Sequence, residues 1–187
     1  NIPKDRPIIL YQGSVNLDRG LMEAVEAMPM VNNAILLVVG DGDVIDQVKE
    51  RVRKLGLEKR VIFVPRVPFR DLAAFTARAS IGLSLDKDTN LNYRFSLPNK
   101  IFDYARAGVP VLASSLPEII KVFSKYEIGL LAENHSAAHL AERMNKMLTD
   151  TEASNRWKKN CELAAKEYCW ENEEKVLKEI YSEAGRV

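Results

Sequence analysis

Residues 94–118 read RFSLPNKIFDYARAGVPVLASSLPE, and the rest of the architecture can be worked out from them. They spell a loop, a short helix and a buried strand in quick succession. Pro98 suits a first helical turn, where its missing N–H is not needed. Asn99 to Ala107 is helical in composition, with Ile101, Phe102 and Ala105 as apolar positions. Gly108 stops the helix and Pro110 keeps it from resuming. Val109 to Ala113 is a short, apolar, β-branched run, typical of a strand buried on both faces. The functional suggestion lies at the helix start. The N–H groups of Asn99 and Lys100 have no acceptor inside the helix and sit at the positive end of its dipole. Asp103 shares a face with Asn99 at i+4. A phosphate at the helix mouth, with a hydroxyl-bearing sugar beside it, suits this geometry.

The same alternation extends outward in both directions. Ile8 to Tyr11, Ala34 to Val39, Val61 to Val64, Ile81 to Leu85 and Ile128 to Leu131 read as further strands. Helices follow each: Leu21 to Met28, Val44 to Leu55 closed by Gly56, a segment with Leu72, Phe75 and Ala79, and one opened by Pro117. Asp86 to Arg94 has no regular period and reads as a polar loop. The remainder is helical over His135 to Leu148, Thr151 to Tyr168 and Trp170 to Ala184. Six strands alternating with helices predict an α/β, Rossmann-like, doubly wound parallel sheet covered on both faces. The expected organisation is one Rossmann-like domain over 1–187, with 151–187 a C-terminal helical extension that packs across the sheet or against something missing. In such folds ligands sit at the C-terminal edge of the strands. The loops to watch are therefore Gly13 to Gly20, Gly40 to Asp43, Pro65 to Arg70 and Asp86 to Lys100.

Bulk properties narrow the function classes. The chain has 187 residues, 47% hydrophobic and 28% charged, with a net charge of +1. That composition is globular, and it advertises no nucleic-acid or anionic-membrane field. No apolar run approaches the roughly 20 residues of a membrane span. Without a signal peptide, a cytoplasmic setting is expected. The chain starts with Asn1 rather than Met, as a piece of a longer or processed protein would. Its two cysteines, Cys161 and Cys169, read as reduced thiols eight residues apart on one helix, too far apart to bridge.

Several motifs have plain alternatives. Gly40-Asp-Gly42 lacks the third glycine of a dinucleotide fingerprint, which disfavours a nicotinamide dehydrogenase. Arg19, between Gly13 and Gly20, is either an anion ligand or a solvated loop residue. His135 and His139 stand at i and i+4 without the glutamate of a zinc protease, and far from the strand-end loops. Ser114-Ser115 follows a strand with no histidine expected to serve it. Asp41, Asp43, Asp86 and Asp88 are most simply surface turn aspartates.

Asp103-Tyr-Ala-Arg-Ala-Gly-Val-Pro-Val111 resembles the Glu-Ala-Met-Ala-x-Gly-x-Pro-Val signature of retaining GT-B glycosyltransferases of family four. Gly13 to Gly20 resembles that family's glycine-to-Lys-Gly loop. Leu36 to Asp43 resembles its strand with a Gly-x-Gly turn, and Val61 to Val67 its Val-x-Phe-x-Gly-x-Val segment. Pro98-Asn-Lys resembles a subgroup variant. The resemblance covers roughly Ile8 to Leu148. It implies the C-terminal, donor-binding half of a two-domain enzyme, whose partner half binds the acceptor.

What the resemblance implies about residues is specific. Asp103 matches a glutamate that accepts hydrogen bonds from ribose hydroxyls, although one methylene shorter. Arg19 matches the basic residue on the diphosphate, with Lys100 as a second cation. Gly13 matches the glycine that admits the phosphates, and Arg66 and Val67 match the loop whose backbone faces the base. Ser14 and Phe95 depart from the pattern, where many members have a second arginine and a sugar-contacting glutamate. Asn90 or Asn92 is a substitute sugar contact, and Arg94 a further cation. The implied reaction moves a hexosyl group from a nucleotide-diphosphate sugar to an acceptor hydroxyl with retention, using neither a cofactor nor a metal. The implied acceptor is a glycan or lipid-linked glycan presented by the absent N-terminal domain, with no nucleic acid involved. The implied setting is cytoplasmic, or peripheral at the inner face of the membrane through the full-length protein. A GT-B nucleotide-sugar epimerase and a catalytically inactive nucleotide-sugar-binding module are the alternatives.

Overall fold

The computed structural model describes residues 5–184. Residues 1–4 and 185–187 of the expected domain span lie outside the described residues. Six strands form one parallel sheet: β1 (Ile8–Gln12), β2 (Ile35–Val39), β3 (Val61–Val64), β4 (Ile81–Ser84), β5 (Val111–Ser114) and β6 (Gly129–Ala132). Their spatial order is β3-β2-β1-β4-β5-β6. The chain winds outward from β1 to β3, returns beside β1 as β4, and winds outward again to β6. This is the doubly wound α/β arrangement expected from the alternating pattern.

Strand register explains why the apolar runs are continuous. In β1, Ile9 and Tyr11 face one layer while Ile8 and Leu10 face the other. In β2, Leu36 and Val38 oppose Leu37 and Val39 in the same way. Both strands are thus buried on both sides, which an alternating sequence could not supply. One layer holds α1 (Leu21–Ala27), α2 (Ile45–Lys54) and α7 (Ala137–Thr149). The opposite layer holds α3 (Phe69–Thr76), α5 (Asn99–Arg106), α6 (Pro117–Tyr126) and much of α8 (Thr151–Glu167).

The C-terminal helices behave differently from each other. Helix α8 buries Ala153, Trp157, Cys161 and Ala164 and packs against α5, α6 and α7. Helix α9 (Trp170–Ala184) leaves Trp170, Val176, Leu177, Ile180 and Tyr181 exposed. Among the described residues no helix is long and apolar enough to cross a membrane.

Several boundaries differ from the sequence reading for local reasons. Leu91–Arg94 forms one helical turn, α4, because the Asn90 side chain caps it by accepting from the Tyr93 N–H at 2.9 Å. Strand β5 starts at Val111, since the Val109 N–H is still used by the Tyr104 carbonyl at 2.9 Å and Pro110 has none to give. Helix α7 starts at Ala137, where the Ser136 hydroxyl caps the His139 N–H. The cysteines do not share a helix: Cys161 is buried in α8, whereas Cys169 lies in the turn before α9. Burial pushes the Cys161 thiol up to about 12.

Candidate functional site

The strand order reverses between β1 and β4, and their following loops diverge there. Helix α5 is seated over this junction by Tyr104. Its buried hydroxyl lies 3.2 Å from the Leu10 carbonyl and 3.3 Å from the Leu83 carbonyl, one from each of the two strands. The ring lies on Gly82, where an added Cβ would come within 2.4 Å of it. Helix α5 can approach the sheet this closely only because position 82 has no side chain.

Beside this junction is a cleft of about 460 Å³, lined by Gln12, Arg70, Leu72, Thr76, Asp103 and Arg106 among others. Asp103 is half-buried on its wall. Its Oδ2 accepts from Gln12 Nε2 at 3.2 Å, and Gln12 Oε1 accepts from the Thr76 hydroxyl at 2.8 Å. Partial burial raises the Asp103 carboxyl above its usual range, opposed by the Gln12 hydrogen bond and by Arg106.

One turn back along α5 lies a cationic cluster. Arg19 Nη1 pairs with Asp86 Oδ2 at 2.9 Å, and its guanidinium carbon sits 4.7 Å from the centre of the Tyr93 ring. The Tyr93 hydroxyl donates to the Leu17 carbonyl at 3.2 Å, tying the loop after β1 to α4. The half-buried Lys100 places Nζ 4.7 Å from the centre of the Tyr11 ring. The Tyr11 hydroxyl donates to the Ser14 carbonyl at 2.7 Å. Burial lowers the Lys100 pKa, Asp86 raises it, and Arg19 lowers it further. Gly20 closes the Arg19 loop at φ 72°, with space for a Cβ blocked at 2.3 Å by the Leu85 carbonyl.

Arg19, Lys100 and Asp103 are thus gathered at one sheet edge, with the exposed Asn99 in the first turn of the same helix as Lys100. Pro98 caps that helix without a side-chain acceptor for its first N–H groups. Gly13 donates its N–H to the Val39 carbonyl at 3.0 Å, and Ser14 is exposed beside it. Arg66 lies elsewhere, in a separate hollow of about 330 Å³ with Asp41, Gly42 and Asp43. Val67 packs into the α3–α5 layer. Phe95 is 57% exposed.

Two expectations from sequence are corrected. Asp86 is no surface turn residue: it is fully buried, and Oδ1 has no partner among the described residues. Ser114 does have a histidine. His135 follows β6, the neighbour of β5, so its Nε2 reaches Ser114 Oγ at 2.9 Å and the Leu85 carbonyl at 3.2 Å. Burial lowers the His135 pKa below 6.5, with Glu23 the main opposing influence. His139 instead pairs with Glu133 at 2.8 Å, so the two histidines serve different partners.

Gln12 and Thr76 were invisible to motif reading, because neither belongs to a local pattern. The one available signal for Gln12 was a polar residue ending an otherwise apolar strand.

The chain is 24% identical over 191 residues to the D-inositol 3-phosphate glycosyltransferase of Xylanimonas cellulosilytica, covering 99% of this chain and 44% of that protein. The chain therefore spans about half the length of the curated relatives it matches. Sucrose-phosphate synthase from Thermosynechococcus elongatus superposes with a TM-score of 0.88 at 23% identity, over 99% of this chain and 47% of that one. The Anabaena protein HepE, solved in complex with UDP-glucose, superposes with a TM-score of 0.82 at 16% identity, over 95% of this chain and 49% of that one. The family model described as glycosyl transferases group 1 matches residues 1–163, and the protein accordingly belongs to the glycosyl transferases group 1 family.

Proposed function

We propose that this chain binds the nucleotide-diphosphate sugar of a retaining hexosyltransferase, and that the acceptor is held by a further N-terminal domain. The observation that carries this reading is that two cations, Arg19 in the loop after β1 and Lys100 on α5, lie at the same sheet edge as Asp103, one turn further along α5 in the wall of the cleft. A nucleoside diphosphate has matching parts in matching order. The ribose and base suit the cleft beside Asp103, and the diphosphate suits the mouth of α5. HepE, with the same fold, is solved with UDP and with UDP-glucose.

The chemistry asks for a leaving group that can accept negative charge as the glycosidic bond to the diphosphate breaks. Arg19, Lys100 and the first N–H groups of α5 would stabilise that charge in a site shielded from water. These cations take the task that a divalent metal performs elsewhere, so the reading assigns none. With retention, the leaving phosphate oxygen takes the acceptor proton on the same face of the sugar. The acceptor is a glycan or lipid-linked glycan, and the setting cytoplasmic, with any membrane contact made peripherally by the full-length protein.

An epimerase would need an acid or base free to act near the sugar. Asp86 is buried against Arg19, and Asp88 pairs with Arg94 at 3.1 Å, which weighs against it.

Calorimetric titration of the chain with UDP and GDP, with and without magnesium, tests the reading. Binding of one nucleotide with little dependence on magnesium is expected. No binding of either at millimolar concentration would overturn it.

A further inference from the structure

We infer that Gln12 is a positioning residue that fixes Asp103 for a ribose diol, and so makes the cleft select ribonucleotides over 2′-deoxyribonucleotides. The inference rests on the proposed nucleotide site but adds a residue and a selectivity to it.

Gln12 ends β1 after four buried residues, at the point where the strand order reverses. It is 2% exposed, and its partner Thr76 on α3 is 3% exposed. Burying an amide and a hydroxyl is unfavourable unless each is hydrogen-bonded, and here both are. The Thr76 hydroxyl is 2.8 Å from Gln12 Oε1, and Gln12 Nε2 is 3.2 Å from Asp103 Oδ2. The amide cannot be turned over without cost. A flipped Gln12 would set its oxygen against a carboxylate oxygen, two acceptors face to face. Thr76 on α3, Gln12 on β1 and Asp103 on α5 therefore form one chain of hydrogen bonds joining three elements that border the cleft.

This chain has a consequence for Asp103. With Oδ2 engaged by Gln12, the carboxylate is held in one orientation and keeps Oδ1 as its fully available acceptor. A ribose presents two adjacent hydroxyl donors to such a group, and a 2′-deoxyribose presents one. Asp103 is half-buried, so less water is at hand to replace a hydrogen bond that a ligand fails to make. A site built to accept a hydroxyl discriminates against the analogue lacking it, because its own polar group is then left unpaired. If Asp103 were free to turn, it would follow whichever hydroxyl remained and the discrimination would shrink.

The test measures dissociation constants of the 187-residue chain for UDP and 2′-deoxy-UDP, and for the guanosine pair, in the parent, Gln12→Leu and Thr76→Val. The parent should prefer the ribonucleotide by about tenfold, the equivalent of one charge-assisted hydrogen bond. Both variants should lose most of that preference while keeping a cooperative thermal transition. Thr76→Val preserves volume and decides the matter if Gln12→Leu fails to fold. An unchanged ribo-to-deoxy ratio in a folded variant overturns the role of Gln12 and leaves the nucleotide site standing. Absence of binding by the parent instead overturns the nucleotide site itself.

Discussion

Replacing Asp103 separates its contribution to binding from its effect on stability, because the two should move in opposite directions. Asp103 has one oxygen engaged by Gln12 at 3.2 Å and keeps accepting capacity for a ligand. A hydrogen bond to a charged group contributes about 1.5–3 kcal/mol. Losing one such bond in Asp103→Ala should weaken nucleoside diphosphate binding by roughly 10- to 150-fold, at 1.4 kcal/mol per factor of ten. The fold should respond otherwise. Burial raises the Asp103 carboxyl above its unfolded value of 3.8, so the folded state binds the proton more tightly than the unfolded state. Stability due to this group therefore falls as pH rises from about 3.8 through the folded value, and stays lowered at neutral pH. Asp103→Asn removes that penalty and keeps an acceptor for Gln12. Its thermal midpoint at pH 7 should equal or exceed the parent's, while at pH 3 the advantage should vanish. Calorimetric titration and thermal melts across pH give both quantities. Parent-like affinity in Asp103→Ala would refute the placing of the nucleoside at this carboxylate. A lower midpoint in Asp103→Asn at pH 7 would refute the account of its burial.

Three further outcomes are expected. In the Arg19→Ala, Lys100→Ala double variant the preference for UDP over UMP should disappear, and a parent-like ratio would show that these cations do not hold the second phosphate. Asp86→Ala frees the Arg19 side chain, whose rotamer entropy of up to about 2 kcal/mol would then be lost on binding. Affinity for UDP should fall by up to roughly 30-fold, and unchanged or tighter binding would count against an orienting role. Gly82→Ala brings a methyl within 2.4 Å of the Tyr104 ring and should destabilise the fold by about 1–3 kcal/mol. A parent-like thermal midpoint would mean that α5 is less tightly seated than the contact implies.

The sheet was legible because parallel strands buried on both faces must be unbroken apolar runs, and AILLVV at 34–39 is one. The helix at 99–106 was legible for a similarly local reason, since Pro98 and Gly108 bracket it. The polar network was not. Arg19 and Asp86 are 67 residues apart, Gln12 and Asp103 are 91 apart, and Ser114 and His135 are 21 apart. No periodicity spans such distances, so Asp86 looked like its neighbours Asp88 and Asp41 although it alone of the three is buried. What brings each pair together is the strand order. Arg19 follows β1 and Asp86 follows β4, which are adjacent only because the winding reverses there. Ser114 ends β5 and His135 follows β6, which are adjacent because it does not reverse again.

If a diphosphate binds as proposed, the buried Asp86 carboxyl beneath it would oppose it, since like charges repel. Two features of Asp86 offset that repulsion. It clamps Arg19 through Nη1 at 2.9 Å while Tyr93 covers the guanidinium face, which leaves other N–H groups of the fork for phosphate oxygens. It is also the main influence keeping Lys100 protonated, because burial and Arg19 both drive that ammonium toward neutrality. Replacing Asp86 by a neutral group would thus remove one repulsion but release one cation and weaken the charge of the other. On the proposed reading, the carboxylate gives up some attraction for a diphosphate and in return holds the Arg19 guanidinium in place and favours the charged form of Lys100 before a ligand arrives.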